Sequence, residues 1–125
     1  MDRKRILVVE DHPINRKLFV LLLDGLGYDI IEAGSGLEAI DQARAVRPDL
    51  IFMDLSMRGI TGHEATVRLK TDPATKDIPV ILCTSFEPES ELVERALSAG
   101  AAEVLHKPIS AKSFQEVTHR YLSSE

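Results

Sequence analysis

Short apolar runs recur along the chain, separated by stretches whose apolar positions follow a helical period. Ile6-Leu7-Val8-Val9 has no polar alternation, which predicts a strand buried on both faces, as in a parallel sheet. A helical pattern follows from Pro13 to about Leu26 and closes at Gly27. Tyr28 to Glu32 reads as a weaker strand, and Leu37 to Val46 as a short amphipathic helix stopped by Pro48. Leu50-Ile51-Phe52-Met53 is a third buried strand. After a loop with Gly59 and Gly62, a helix runs from about His63 to Thr71. Ile78 to Cys83 predicts a fourth strand, and Pro88 opens a helix at its first position, ending near Gly100. Ala102 to His106 is a fifth strand, and Ser110 caps a last helix to about Leu122. Five β–α units in strict alternation require a parallel sheet covered by helices on both sides.

Composition narrows the function classes. The 125 residues suit one domain with a core of its own. A net charge of −5 and a pI near 5.4 argue against nucleic acid or an anionic membrane as partner, because both require a basic face. No apolar run approaches the roughly 20 residues of a membrane span, and the opening run is too short for a signal-peptide core. The single cysteine, Cys83, has no internal disulfide partner, which fits a reducing cytoplasm.

Sites in an open α/β sheet form at the carboxyl ends of the strands. Here strand one is followed by Glu10-Asp11, strand three by Asp54, strand four by Thr84-Ser85 and strand five by Lys107-Pro108. Each alone is an ordinary loop residue. Together they bring three carboxylates, a hydroxyl and a lysine to one edge, the donor set of a phosphoryl site. Hard oxygen ligands suit Mg²⁺ (or Mn²⁺), and lysine serves phosphate as a point charge.

These residues, with Gly62 eight positions after Asp54 and the Gly100-Ala101 turn, resemble the response regulator receiver domain over essentially the whole chain. The resemblance implies a flavodoxin-like three-layer sandwich with strand order 2-1-3-4-5. It also implies a single-domain regulator spanning 1–125, which takes a phosphoryl group from a histidine kinase or histidine phosphotransfer protein and then alters its binding to a target protein. Asp54 would be the phosphoacceptor. Asp11 and Asp54 would bind the metal with the backbone carbonyl of Ser56, and Glu10 would act through water. Thr84 would donate its hydroxyl to the phosphoryl group and Lys107 would pair with it, across a cis Lys107–Pro108 bond. Chemistry would be confined to self-phosphorylation and self-dephosphorylation, so the chain would not be an enzyme in the ordinary sense. Its last helix ends about three residues before the C-terminus, so no output domain is expected.

Some positions depart from the family pattern. Arg58 stands four residues after Asp54, where proline is usual. Ser85 replaces a commoner alanine. Val104 stands where many members carry the aromatic that rotates inward with the threonine, so that switch cannot operate in its usual form. Ser56 and Phe86 occupy positions that tune phosphoryl lifetime. His12, His63, His106 and His119 lack metal-ligand spacing.

In the first helix, Leu18 to Leu23 are all apolar. If Ile14, Leu18 and Leu22 face the sheet, Val20 and Leu23 point outward and, with Arg16, form a partner surface. Three rival readings fit the residues less well. A flavin carrier needs a glycine- and hydroxyl-rich phosphate loop where Glu10-Asp11-His12-Pro13 stands. A haloacid-dehalogenase-type phosphatase needs a second aspartate, absent from Asp54-Leu55-Ser56. A degenerate receiver acting as a phosphorylation-independent interaction domain has no reason to keep the acidic cluster, Thr84 and Lys107.

Overall fold

The structure, a computed structural model, describes residues 3–87 and 89–123. Five strands and five helices alternate: β1 Arg5–Val9, α1 Pro13–Leu23, β2 Asp29–Ala33, α2 Gly36–Val46, β3 Leu50–Asp54, α3 Gly62–Thr71, β4 Val80–Thr84, α4 Glu91–Ser98, β5 Glu103–His106 and α5 Ala111–Leu122. All ladders are parallel, in the order β2-β1-β3-β4-β5. The three central strands are buried almost throughout, as their continuous apolar runs require.

Alternate residues of those strands feed two different cores. Leu7, Val9, Ile51, Met53, Val80 and Leu82 meet α2, α3 and α4, which present Ala39, Ala43, Ala65, Leu69 and Ala96. Ile6, Val8, Leu50, Phe52, Ile81 and Cys83 meet α1 and α5, which present Phe19, Leu23, Phe114, Val117 and Leu122. The first side is therefore thin and alanine-lined. The second is thick, and Phe114 is its hub, edge-on to Phe19 at 5.5 Å and to Phe52 at 5.1 Å between ring centroids.

Element ends differ from the sequence reading by two residues or more at the end of α1 and at the starts of β4 and α4, and by about one residue elsewhere. α1 stops at Leu23 rather than Leu26, because Asp24 turns extended and Gly25 and Gly27 take left-handed φ of 87° and 93°. β4 begins at Val80 because Pro79 has no N–H for the ladder; its carbonyl still accepts from Ile51 N. α4 begins at Glu91, capped by Ser90 Oγ on Leu92 N; the expected opening residue, Pro88, lies outside the described residues. The other serine and threonine caps, at Ser35, Thr61 and Ser110, each accept from the N–H three residues on.

The orientation of α1 corrects the sequence reading more deeply. Leu23 is fully buried and Val20 half-buried, whereas Ile14, Leu18 and Leu21 are 67%, 54% and 60% exposed. At about 100° per residue Phe19 and Leu23 lie close together on one face. The large Phe19 ring, edge-on to Phe114, fixes that face inward. Ile14, Leu18 and Leu21 then gather on the outer flank. Leu23 is a core residue and not part of a partner surface.

Phe114→Ala should cost about 3–5 kcal/mol of stability, because it empties a fully buried site and removes two edge-to-face contacts. Equilibrium denaturation in urea measures this; a loss below about 1 kcal/mol would show that α5 is not anchored there.

Candidate functional site

The strand ends place Glu10, Asp11, Asp54, Thr84 and Lys107 at one edge of the sheet. Asp54 closes β3, opposite Cys83 in the ladder, and Thr84 closes β4 opposite His106. Lys107 N donates to Thr84 O at 2.7 Å, which fixes the start of the β5–α5 loop against β4. The Lys107–Pro108 bond is cis.

Lys107 Nζ lies 3.3 Å from Asp54 Oδ2 and 3.5 Å from Glu10 Oε1. Backbone N–H groups hold one oxygen of each carboxylate. Asp54 Oδ1 accepts from Ser56 N at 3.2 Å and Glu10 Oε2 from His12 N at 3.1 Å. Asp11 Oδ2 accepts from Arg58 N at 3.0 Å and from Arg58 Nε at 3.3 Å. Thr84 is buried, and its Oγ1 accepts from Phe86 N at 3.0 Å. Behind Asp54 there is no slack: a Cβ on Gly62 would lie 2.5 Å from Asp54 O and 2.8 Å from Leu55 Cα. The spacing from Asp54 to Gly62 thus has a steric cause.

One ammonium cannot neutralise three carboxylates. Burial pushes the Glu10 carboxyl up to about 7; the His12 N–H opposes this, and the Asp54 charge adds to it. Asp11 is held below the ordinary range, chiefly by the Arg58 N–H. Carboxylate oxygens of Glu10, Asp11 and Asp54 lie within 4.8 Å of one another. Glu10 Oε1 is buried without a hydrogen-bond partner among the described residues; Lys107 contributes only its charge at 3.5 Å. A sheltered, electron-rich group of hard oxygens with an unsatisfied atom fits a divalent cation such as Mg²⁺.

Residues 6–119 match the family model of the response regulator receiver domain. The chain belongs to that family. It is 41% identical over 119 residues to the polar-differentiation response regulator DivK of Brucella anthropi, covering 95% of this chain and 96% of that protein, and equally to DivK of Brucella abortus. Among solved structures, the receiver domain of a sensor histidine kinase from Pseudomonas aeruginosa superposes with a TM-score of 0.89 at 28% identity, over 98% of this chain and all of that one. That structure has a magnesium ion coordinated in its active-site cleft. Chemotaxis protein CheY4 of Vibrio cholerae gives 0.88 at 26% identity, over 97% of this chain and all of that one. Receiver domains are phosphoryl-accepting signalling domains rather than enzymes in the ordinary sense, and their family implies a histidine kinase or phosphotransfer protein as partner. No helix among the described residues is long and apolar enough to cross a membrane.

Three site features of this receiver escaped the sequence. Arg16, expected on a partner surface, is tied within the chain. Its guanidinium turns inward, donating to Glu10 O at 2.9 Å and to Glu32 Oε1 at 3.1 Å, and so fixes the β1–α1 loop. Arg58 departs from the family pattern, but nothing in its spacing points to Asp11. His106 Nδ1 lies 2.9 Å from Phe86 O, tying the β4–α4 loop to β5. Val104, at the position of the missing aromatic, is half-buried against the alanine-lined side, next to Leu82.

The raised Glu10 carboxyl predicts a pH effect in metal-free protein. Between its ordinary 4.5 and about 7 the folded chain binds more protons than the unfolded one, so this contribution to stability falls as pH rises through that window. Glu10→Gln removes it. The melting temperature of the variant, relative to the unaltered chain, should therefore climb from about pH 5 to about pH 8 in the presence of chelator. A difference that stays constant with pH would show that Glu10 is not the group responsible.

Proposed function

We propose that residues 1–125 work as one receiver unit whose Asp54 accepts a phosphoryl group from a phosphohistidine donor, and that the phosphorylated form signals through altered protein binding. The observation that carries this reading is Lys107 Nζ seated between Asp54 Oδ2 and Glu10 Oε1, two members of the carboxylate cluster.

In the reaction, a carboxylate oxygen of Asp54 forms the new O–P bond as the N–P bond to the donor imidazole breaks. Little covalent work is asked of the protein; the task is to position the groups and neutralise charge on the transferring oxygens. Lys107 supplies one fixed positive charge. Thr84 supplies a hydroxyl, whose proton is available to a phosphoryl oxygen because its Phe86 N–H contact occupies only an oxygen lone pair. Asp11, Asp54 and the Ser56 carbonyl would hold Mg²⁺ or Mn²⁺, with Glu10 reaching it through water; the metal, when bound, neutralises phosphoryl charge. The convergence of all these groups disfavours a phosphorylation-independent interaction domain. A cytoplasmic location follows from such a partner.

Incubation with acetyl phosphate and Mg²⁺ should add one phosphoryl group by intact mass, and Asp54→Asn should abolish the acid-labile adduct. Full labelling of that variant would remove Asp54 from the role.

The exposed flank of α1 takes the place of Val20, Leu23 and Arg16 as the donor-docking surface. Leu18 lines an apolar groove with Leu22, Lys107, Pro108 and Ile109, and Ile14 and Leu21 are exposed beside it on the same helix. An apolar helix of a phosphotransfer protein fits such a groove. Ile14→Lys with Leu18→Asp keeps helical i,i+4 pairing and should leave acetyl phosphate labelling intact. The same pair should slow transfer from a phosphohistidine protein at least tenfold, about 1.4 kcal/mol. Unslowed transfer would place docking elsewhere.

A further inference from the structure

We infer that Arg58 is a built-in counter-cation of Asp11, which a divalent ion must displace to occupy the carboxylate cluster, so that this residue lowers and tunes the metal affinity of the chain. The inference rests on the metal-site reading given above.

Each carboxylate of the cluster has a protein cation beside it. Lys107 serves Asp54 and Glu10 together, and Arg58 serves Asp11. The two arrangements differ in how firmly the cation is held. Lys107 is largely sheltered between two acids. Arg58 meets Asp11 Oδ2 through Nε, at 3.3 Å, while its side chain is 88% exposed and that of Asp11 only 17%. The guanidinium has no other hydrogen bond among the described residues, so it can swing into solvent without unpacking anything. Arg16 shows the contrast: its guanidinium is mostly sheltered and held by two acceptors, a built-in strut. The backbone N–H of Arg58 also donates to Asp11 Oδ2, so the same oxygen carries two donors that an incoming cation meets. Gly59, with its left-handed φ of 81°, follows directly and shapes this loop.

An exposed ion pair is worth a few-fold in an equilibrium, not orders of magnitude. Displacing it therefore subtracts from metal affinity without preventing binding. The pair is also screened by salt.

Titration calorimetry with Mg²⁺ alone on the full chain tests this. Arg58→Ala should bind Mg²⁺ about threefold more tightly at low ionic strength, and the gap should narrow at high salt. Arg58→Lys, which keeps the charge and loses the Nε contact, should fall between. The Arg58 Nε–H resonance in ¹⁵N NMR should move on Mg²⁺ saturation, and metal-free Arg58→Ala should melt slightly lower than the unaltered chain. Equal or weaker Mg²⁺ binding by Arg58→Ala, or an Arg58 side-chain resonance unmoved at saturation, would overturn the inference while leaving the site in place. Asp11→Ala binding Mg²⁺ as tightly as the unaltered chain would remove the metal-site reading, and this inference with it.

Discussion

Three carboxylates share one edge of the sheet with a single sheltered ammonium, and that imbalance of charge governs the rest of the molecule. Left in water, Glu10, Asp11 and Asp54 would move apart. They are kept together because each stands at the end of a strand, or just beyond it, and those strands cannot shift. β1 and β3 are buried on both faces and hydrogen-bonded along their length. Gly62 closes in directly behind Asp54. The rigidity of the sheet is thus what sustains an electrostatically unfavourable cluster, and the cluster in turn attracts cations: Lys107, Arg58 and, when present, a divalent metal.

Most of the fold was legible because its signals are local. Continuous apolar runs separated by helical patterns leave few alternatives to a parallel sheet with helices on both faces. The site was legible for the same reason: once the strands are set, Glu10, Asp54, Thr84 and Lys107 must meet at their carboxyl ends. What could not be read came from relations between elements. α1 is apolar all the way round from Leu18 to Leu23, so its own periodicity does not say which face is inward. The answer lies on α5, in the ring of Phe114. The early end of α1 turns on whether Gly25 or Gly27 reverses the chain, and both do.

The arginines teach the same lesson. Arg16 and Arg58 are indistinguishable as letters on a polar surface. One is tied at two acceptors and sheltered; the other rests on a single carboxylate at the rim. Only the placement of Glu32 and of the Asp11 carboxylate separates a fixed strut from a loose counter-ion. Val104 belongs here too. An aromatic at that position would compete for space on the alanine-lined side, and valine fills it without reaching farther.

The unequal thickness of the two cores gives the molecule a mechanical polarity. On the side of α1 and α5, any sliding of a helix must break the edge-to-face contacts of Phe114 with Phe19 and Phe52, so that layer behaves as an anvil. On the side of α2, α3 and α4, alanines offer a nearly smooth track, and a helix can travel along it while giving up few contacts. A disturbance at the end of β4, which lies between the two layers, meets stiff resistance in one direction and little in the other. The two faces of the sheet thus differ in how tightly they hold their helices, and α4 lies on the more loosely keyed one.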